Sequence, residues 1–174
     1  MKKIFISAAV LVAVIIGCKT ASTQNTQVLK INFEPKSGSS VTGTGEFSET
    51  NGKVTFTARL TGLKPGVHAI HIHEKADCSA ADGSSAGGHW NPTFKNHGKW
   101  GSASYHKGDI GNFTTDENGV GTVLMTTDQW CIGCGDPTKD IVGKSVIVHE
   151  KADDFVTQPT GNAGGRMACS AIIR

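Results

Sequence analysis

Seven histidines lie between residues 68 and 149, and their spacing is typical of a metal-binding protein. His71 and His73 stand two positions apart in a run that reads as a β-strand, so both side chains project from one face. The remaining candidate ligands lie in a following loop and at the end of a later strand: His89, His97, His106, Asp109 and His149. Imidazole suits copper and zinc, and carboxylate suits zinc. Six histidines and one aspartate suffice for two four-coordinate sites if one histidine bridges both ions.

Short β-like runs separated by turn residues must position these ligands. Eight are predicted, over residues 28–33, 41–47, 54–60, 67–73, 109–115, 120–126, 144–149 and 167–173. Asn51-Gly52 and Asn118-Gly119 indicate hairpin turns. No run has convincing helical amphipathicity, so the sequence predicts an all-β sandwich or barrel. Two stretches, 74–108 and 150–166, interrupt the spacing and are predicted to be long functional loops.

Length and composition narrow the class of protein. The chain has 174 residues, which suits one main domain. Hydrophobic residues make up 37% and charged residues only 18%, which excludes a charged disordered chain. The 22 glycines show no three-residue period, which excludes collagen. A net charge of +2 argues against a nucleic-acid-binding protein.

The N-terminus reads as an export signal. Residues 1–17 combine Lys2 and Lys3 with an apolar run too short for a comfortable membrane span. The run ends at Ile16, and the segment from Ile15 to Cys18 resembles a bacterial lipobox. Cys18 is therefore the expected lipidation site, and an ordinary cleaved signal is the alternative. Residues 18–26 are expected to be the lipidated cysteine and a polar tether. Loss of the two lysines leaves 15 basic and 15 acidic residues, so attraction of a charged substrate must be local.

Six segments resemble the copper/zinc superoxide dismutase family, in its bacterial lipoprotein form, and occur in the family's order. They are residues 66–74, 87–92, 95–98, 106–112, 148–154 and 161–169. The resemblance covers residues 27–174. It implies an eight-stranded Greek-key β-barrel or sandwich of immunoglobulin-like type, and an oxidoreductase that converts superoxide to dioxygen and hydrogen peroxide.

The resemblance also implies a role for each site residue, with one copper and one zinc per chain. Copper would be held by His71, His73, His89 and His149, and zinc by His89, His97, His106 and Asp109. His89 would bridge the metals and take part in catalysis. Arg166 would be the second catalytic residue, attracting and orienting the anion beside copper. Asp153 would tie His71 to His97, and His68, on the opposite strand face, would have a structural hydrogen-bonding role.

The five cysteines fall into three groups. Beside Cys18, the family pattern implies a disulfide between Cys78 and Cys169. Cys131 and Cys134 form a CxxC segment that the family pattern lacks. A local disulfide, a redox role and a secondary copper contact are the alternatives, and a single CxxC by itself is a weak zinc signal.

The expected function is defence of the cell envelope against superoxide by a lipid-anchored enzyme. Its partners would be superoxide and a membrane, with no nucleic acid, and the chain would be a monomer or a homodimer. Lys19, in place of aspartate, favours the outer membrane, on its periplasmic or surface face. A copper storage or delivery lipoprotein with the same fold and little turnover is the alternative, and a structural lipoprotein with a zinc-stapled histidine cluster is a third hypothesis.

Overall fold

The structure is a computed structural model that describes residues 26–174. The predicted leader over 1–17, the lipidation of Cys18 and the tether as far as residue 25 lie outside the described residues. Within residues 26–174, no helix combines the length and the apolar character needed to span a membrane. The first strand begins at Gln27, where the predicted catalytic domain begins.

Eight strands form the domain, which confirms the all-β prediction. They are β1 (Gln27–Pro35), β2 (Thr42–Thr50), β3 (Lys53–Thr61), β4 (Gly66–His73), β5 (Gly111–Thr115), β6 (Gly121–Thr127), β7 (Ser145–His149) and β8 (Arg166–Ala171). Apart from these strands, the described residues contain one 3₁₀ turn, Ser84–Ala86.

The strands close into an antiparallel barrel in the order β1-β2-β3-β6-β5-β4-β7-β8. Closure comes from β8 pairing with β1, where Glu34 faces Cys169 and Pro35 faces Ala168. β4 follows β3 in the chain but lies three places away in the sheet, which is the crossover of a Greek key. The crossover places β4 between β5 and β7, so the strand that carries His71 and His73 lies beside the strand that carries His149.

Alternating side chains fill the barrel. In β3, every second residue from Val54 to Leu60 is buried, as the period of a strand facing a core on one side requires. Phe47 and Phe56 stack inside, with ring centroids 4.4 Å apart. The β2–β3 turn is a tight hairpin in which Asn51 and Gly52 both have positive φ, as that turn type demands.

Two connections differ from the sequence-based expectation. The segment 128–144 between β6 and β7 is a third long loop, in addition to those after β4 and β7. The predicted hairpin around Asn118-Gly119 is a turn between diverging strands, since in the described part of the chain the pairing of β5 with β6 consists of Thr115 with Gly121. β5 instead pairs with β4, and β6 pairs with β3.

Candidate metal centre

β4 divides its side chains between the barrel core and the metal centre. Ile70 and Ile72 are completely buried in the core, and His71 and His73 point to the opposite face. Both histidines are nevertheless fully buried, because the loops after β4 and β7 cover that outer face. The centre therefore lies outside the barrel wall and beneath the two loops.

Four histidines form the first ligand group, which we call the copper set: His71, His73, His89 and His149. One nitrogen from each lies within 4.8 Å of the others. The Nε2 atoms of His73 and His149 are 3.4 Å apart, and the rings of His71 and His89 are 4.1 Å apart between centroids. Two nitrogens that bind one ion at about 2 Å in a tetrahedral site have a separation of the order of that between His73 and His149.

The second group, the zinc set, surrounds one carboxylate. Its members are His89, His97, His106 and Asp109. The Nδ1 atoms of the three histidines lie 2.8, 2.9 and 3.3 Å from the oxygens of Asp109, in that order. The backbone N–H of His106 donates to Asp109 Oδ2 over 2.8 Å, so the turn between these two residues fixes the carboxylate. His89 belongs to both sets, as a bridging ligand must.

The ring nitrogens that face away from the two sets are held by the protein. Asp153 lies between the sets, with Oδ2 2.8 Å from His71 Nε2 and Oδ1 2.9 Å from His97 Nε2. The Nδ1 of His73 contacts the carbonyl of Gly87 over 2.9 Å. A hydrogen bond from the far nitrogen fixes the ring orientation and the tautomer of a metal-binding histidine.

Several of the nitrogens that face into the sets have no hydrogen bond among the described residues. Buried polar atoms in proteins are almost always hydrogen-bonded. Within residues 26–174, the inward-facing buried atoms without a hydrogen bond include His71 Nδ1 and His89 Nε2 in the copper set, and His97 Nδ1 and His106 Nδ1, which lie beside Asp109 without hydrogen-bond geometry. Metal ions would use the lone pairs at the centre of each set. Four imidazoles match copper, and three imidazoles with a carboxylate match zinc.

Burial and neighbouring charges shift the pKa values of His89 and His97 in opposite directions. Burial lowers the pKa of His89 to about 4, with a smaller contribution from repulsion by His71. His89 is therefore neutral at physiological pH, the form that ligates metal. Burial opposes the charging of His97 as well, but hydrogen bonds to Asp109 and Asp153 outweigh it and raise its pKa to about 9. The two carboxylates therefore hold a cation at this position until a metal ion replaces its proton.

Comparison with known proteins agrees with this donor set. A family model described as copper/zinc superoxide dismutase (SODC) matches residues 41–172. The chain belongs to the copper/zinc superoxide dismutase family. The fold of a solved structure, a crystal structure of the clock protein EA4, is similar with a TM-score of 0.73. The two chains share 35% identity, and the match covers 88% of this chain and 96% of that one.

Family membership and the two buried ligand sets confirm the prediction of copper and zinc as cofactors. They also support superoxide dismutase function. All seven predicted ligands meet in this dismutase-family chain, although they come from β4, two segments of the following loop and the end of β7.

Arg166 lies at the start of β8, beside the copper set. Its guanidinium donates to the carbonyls of Gly83 and Gly87 over 2.7 and 2.8 Å. The same Gly87 carbonyl contacts His73, so one backbone oxygen fixes both the arginine and a copper-set ligand. Desolvation lowers the pKa of Arg166, and the nearby Asp82 carboxylate opposes that shift.

The disulfide predicted between Cys78 and Cys169 is present, with a Cα–Cα distance of 5.8 Å. It joins the loop that carries Gly83 and Gly87 to β8, the strand that carries Arg166. Cys131 and Cys134 are also joined to each other. His68 faces away from the metal sets, where its ring contacts the carbonyls of Lys64 and His149.

Sequence analysis missed three polar residues that support the centre. Asn112 exchanges two hydrogen bonds with the backbone of Asp153, over 2.8 and 2.9 Å. Gln158 does the same for the backbone of His97. Gln129 hydrogen-bonds Tyr105 and Lys107, which flank His106. The only available signal was the position of Asn112 inside the family-like segment 106–112, because the other two lie in loops whose partners are distant in sequence.

Proposed function

We propose that this chain dismutates superoxide to dioxygen and hydrogen peroxide in a bacterial cell envelope. The observation that carries the proposal is the pair of buried four-ligand sets that share His89, with Arg166 beside the copper set. Copper in its set supplies a one-electron redox couple, and zinc in the adjoining set supplies charge and rigidity.

The protein's own residues supply binding and a proton. The Arg166 guanidinium presents a fixed positive charge that attracts and orients a small anion. The carbonyls of Gly83 and Gly87 hold that guanidinium in place. The Nδ1 of His89 is engaged on the zinc side, so Nε2 is the atom at which His89 can hold a proton for the reduced anion.

Superoxide decay tests the proposed activity. The full chain is assayed in three forms: metal-free, with zinc alone, and with copper plus zinc. A light pulse generates superoxide in each sample, and the decay of superoxide is then followed. Fast catalytic decay that requires copper is the expected result. Two tightly bound metals with decay no faster than the zinc-only protein would contradict enzymatic dismutation and would favour copper storage or delivery.

Membrane attachment is a separate part of the proposal. It rests on the charged and apolar pattern of residues 1–17 and on Cys18. Two or more acyl chains attached to one cysteine are sufficient to anchor a protein stably in a membrane. We expect the protein to sediment with bacterial membranes and the Cys18→Ser variant to be lost from them. Equal membrane association of both proteins would exclude the lipid anchor at Cys18.

A further inference from the structure

A second cluster of metal-ligating side chains lies in the loop between β6 and β7, apart from the copper and zinc sets. One atom each of Cys131, Cys134 and Asp140 lie within 4.8 Å of one another. In the structure the two sulfurs are bonded to each other and cannot ligate. We propose that the reduced form of this cluster binds a zinc-like divalent ion, so the chain has a third metal site that opens only when the disulfide is reduced. This inference does not depend on dismutase activity.

The loop is shaped by contacts other than the disulfide. Gly133, between the two cysteines, has a positive φ that turns the chain back on itself, and Gly135, just after them, also has a positive φ. Their N–H groups donate to Asp140 Oδ1 and Oδ2 over 2.8 and 2.9 Å. Cys131 is buried and forms backbone hydrogen bonds in both directions, to Lys139 and Ile141. These contacts persist on reduction, so the sulfurs stay within reach of one ion.

The donor set matches the chemistry of zinc. Two thiolates and a carboxylate provide three of four tetrahedral ligands, and water can complete the site because Cys134 is exposed. Asp140 Oδ2 accepts one hydrogen bond and keeps a lone pair for the ion, as ligating carboxylates commonly do. The Arg174 guanidinium donates to the Ile132 carbonyl over 3.0 Å and offsets part of the negative charge.

The small span of the Cys131–Cys134 bond argues against a role as a structural staple. In the chain-entropy model, the stabilisation from a disulfide grows with the length of the loop that it closes. This bond links residues 3 positions apart, against 91 positions for Cys78 and Cys169. Its reduction therefore costs the fold little.

The opening step balances with a phosphine or a dithiol as the reductant. A phosphine takes the oxygen of one water molecule and becomes a phosphine oxide, while the two protons of that water go to the two sulfurs. A dithiol transfers two electrons and two protons to the sulfur–sulfur bond, which breaks to give two thiols, while the dithiol itself becomes a disulfide. A divalent ion then displaces both thiol protons and binds two thiolates.

Cobalt(II) is the probe, because thiolate ligation gives it a near-ultraviolet charge-transfer band that imidazole and carboxylate do not. The full chain, loaded with copper and zinc, is titrated with cobalt before and after reduction by a phosphine. We expect the band to appear only after reduction, to saturate at one equivalent, and to disappear when zinc is added. Absence of the band after reduction, with free thiols demonstrated, would overturn the proposal.

Two variants identify the ligands. Combining Cys131→Ser with Cys134→Ser should abolish the band, while leaving Cys18, Cys78 and Cys169 in place as a built-in control. A band that survives in this variant would assign the signal to those other cysteines and refute the site. Asp140→Asn should keep the thiolate band and weaken cobalt binding at least tenfold, and unchanged binding would show that Asp140 is not a ligand.

Discussion

Replacement of Asp153 by asparagine gives the sharpest test of how the metal centre is held. The carboxylate is buried, and its two oxygens have different duties. Oδ1 accepts the N–H of Phe155 over 2.7 Å and contacts His97 Nε2, whereas within residues 26–174 Oδ2 contacts His71 Nε2 alone. In Asp153→Asn the amide oxygen is therefore expected to take the Oδ1 position, where two donors need it.

That orientation makes the effect larger for copper than for zinc. The amide nitrogen then replaces Oδ2 and places its own N–H groups 2.8 Å from His71 Nε2, which is also a donor when Nδ1 binds metal. Loss of a partner behind a ligand typically costs about 10–100-fold in metal affinity. That range corresponds to about 1.4–2.8 kcal/mol. We expect copper affinity to fall by this factor and zinc affinity to fall by less, since His97 keeps its acceptor.

Competition with chelators measures both affinities on the fully loaded protein. The control is Asp154→Asn. This neighbouring carboxylate is exposed, and its hydrogen bonds among the described residues go to Val156 and Thr157 in its own loop. This control should leave both affinities unchanged. Equal copper affinity in wild type and Asp153→Asn would refute the assignment, as would an equal loss in the two variants.

Three further predictions follow from the same contacts. Arg166→Ala should retain both metals by elemental analysis and reduce superoxide turnover at least severalfold, whereas unchanged turnover at low salt would remove this residue from the site. Joint replacement of Cys78 and Cys169 by serine should lower the free energy of unfolding by about 4–5 kcal/mol, measured by urea titration, because their bond closes a long loop. The metal-free protein should lose stability as pH falls from 6.5 towards 4, since the depressed pKa of His89, about 4, makes the unfolded state bind more protons in that window. This histidine alone contributes about 3 kcal/mol, and a flat pH dependence of urea unfolding over that range would contradict it.

Local sequence patterns were sufficient to predict the strands, because the alternation of apolar and polar residues and the turn residues are features of a few neighbouring positions. All eight predicted runs overlap observed strands, and the turn at Asn51 and Gly52 is a tight hairpin. The start of β5 was wrong by two residues. Asp109 was assigned to a strand, but it turns into the zinc set, and the backbone N–H of Ile110 bonds Gly108 instead of a neighbouring strand.

The metal ligands and Asp153 could be predicted from residue type and the family-like segments, whereas most of the other residues that support the ligands could not. Two histidines on one strand face form a local signal that survives folding. The carbonyls that hold Arg166 have no side-chain signature, so their role could not be predicted even for Gly87, which lies in the family-like segment 87–92. Asp140 was missed for a related reason, since the turn that returns it to Cys131 depends on backbone bonds formed only in the folded loop.

The metal ligands lie outside the barrel wall. The stability of the barrel core is therefore independent of how well ordered the metal-binding loops are. The barrel packs Ile70 and Ile72 inside and needs no metal to bury them. The covering loops instead depend on polar contacts that converge on Asp109 and Asp153, beside the inward nitrogens His71 Nδ1 and His89 Nε2, which form no hydrogen bond within residues 26–174. Metal ions satisfy those nitrogens, so their binding energy orders the loops and the bridge between the two sets. Removal of both ions should therefore loosen the segments around His97 and Asp153 in hydrogen exchange before it affects β1 to β3.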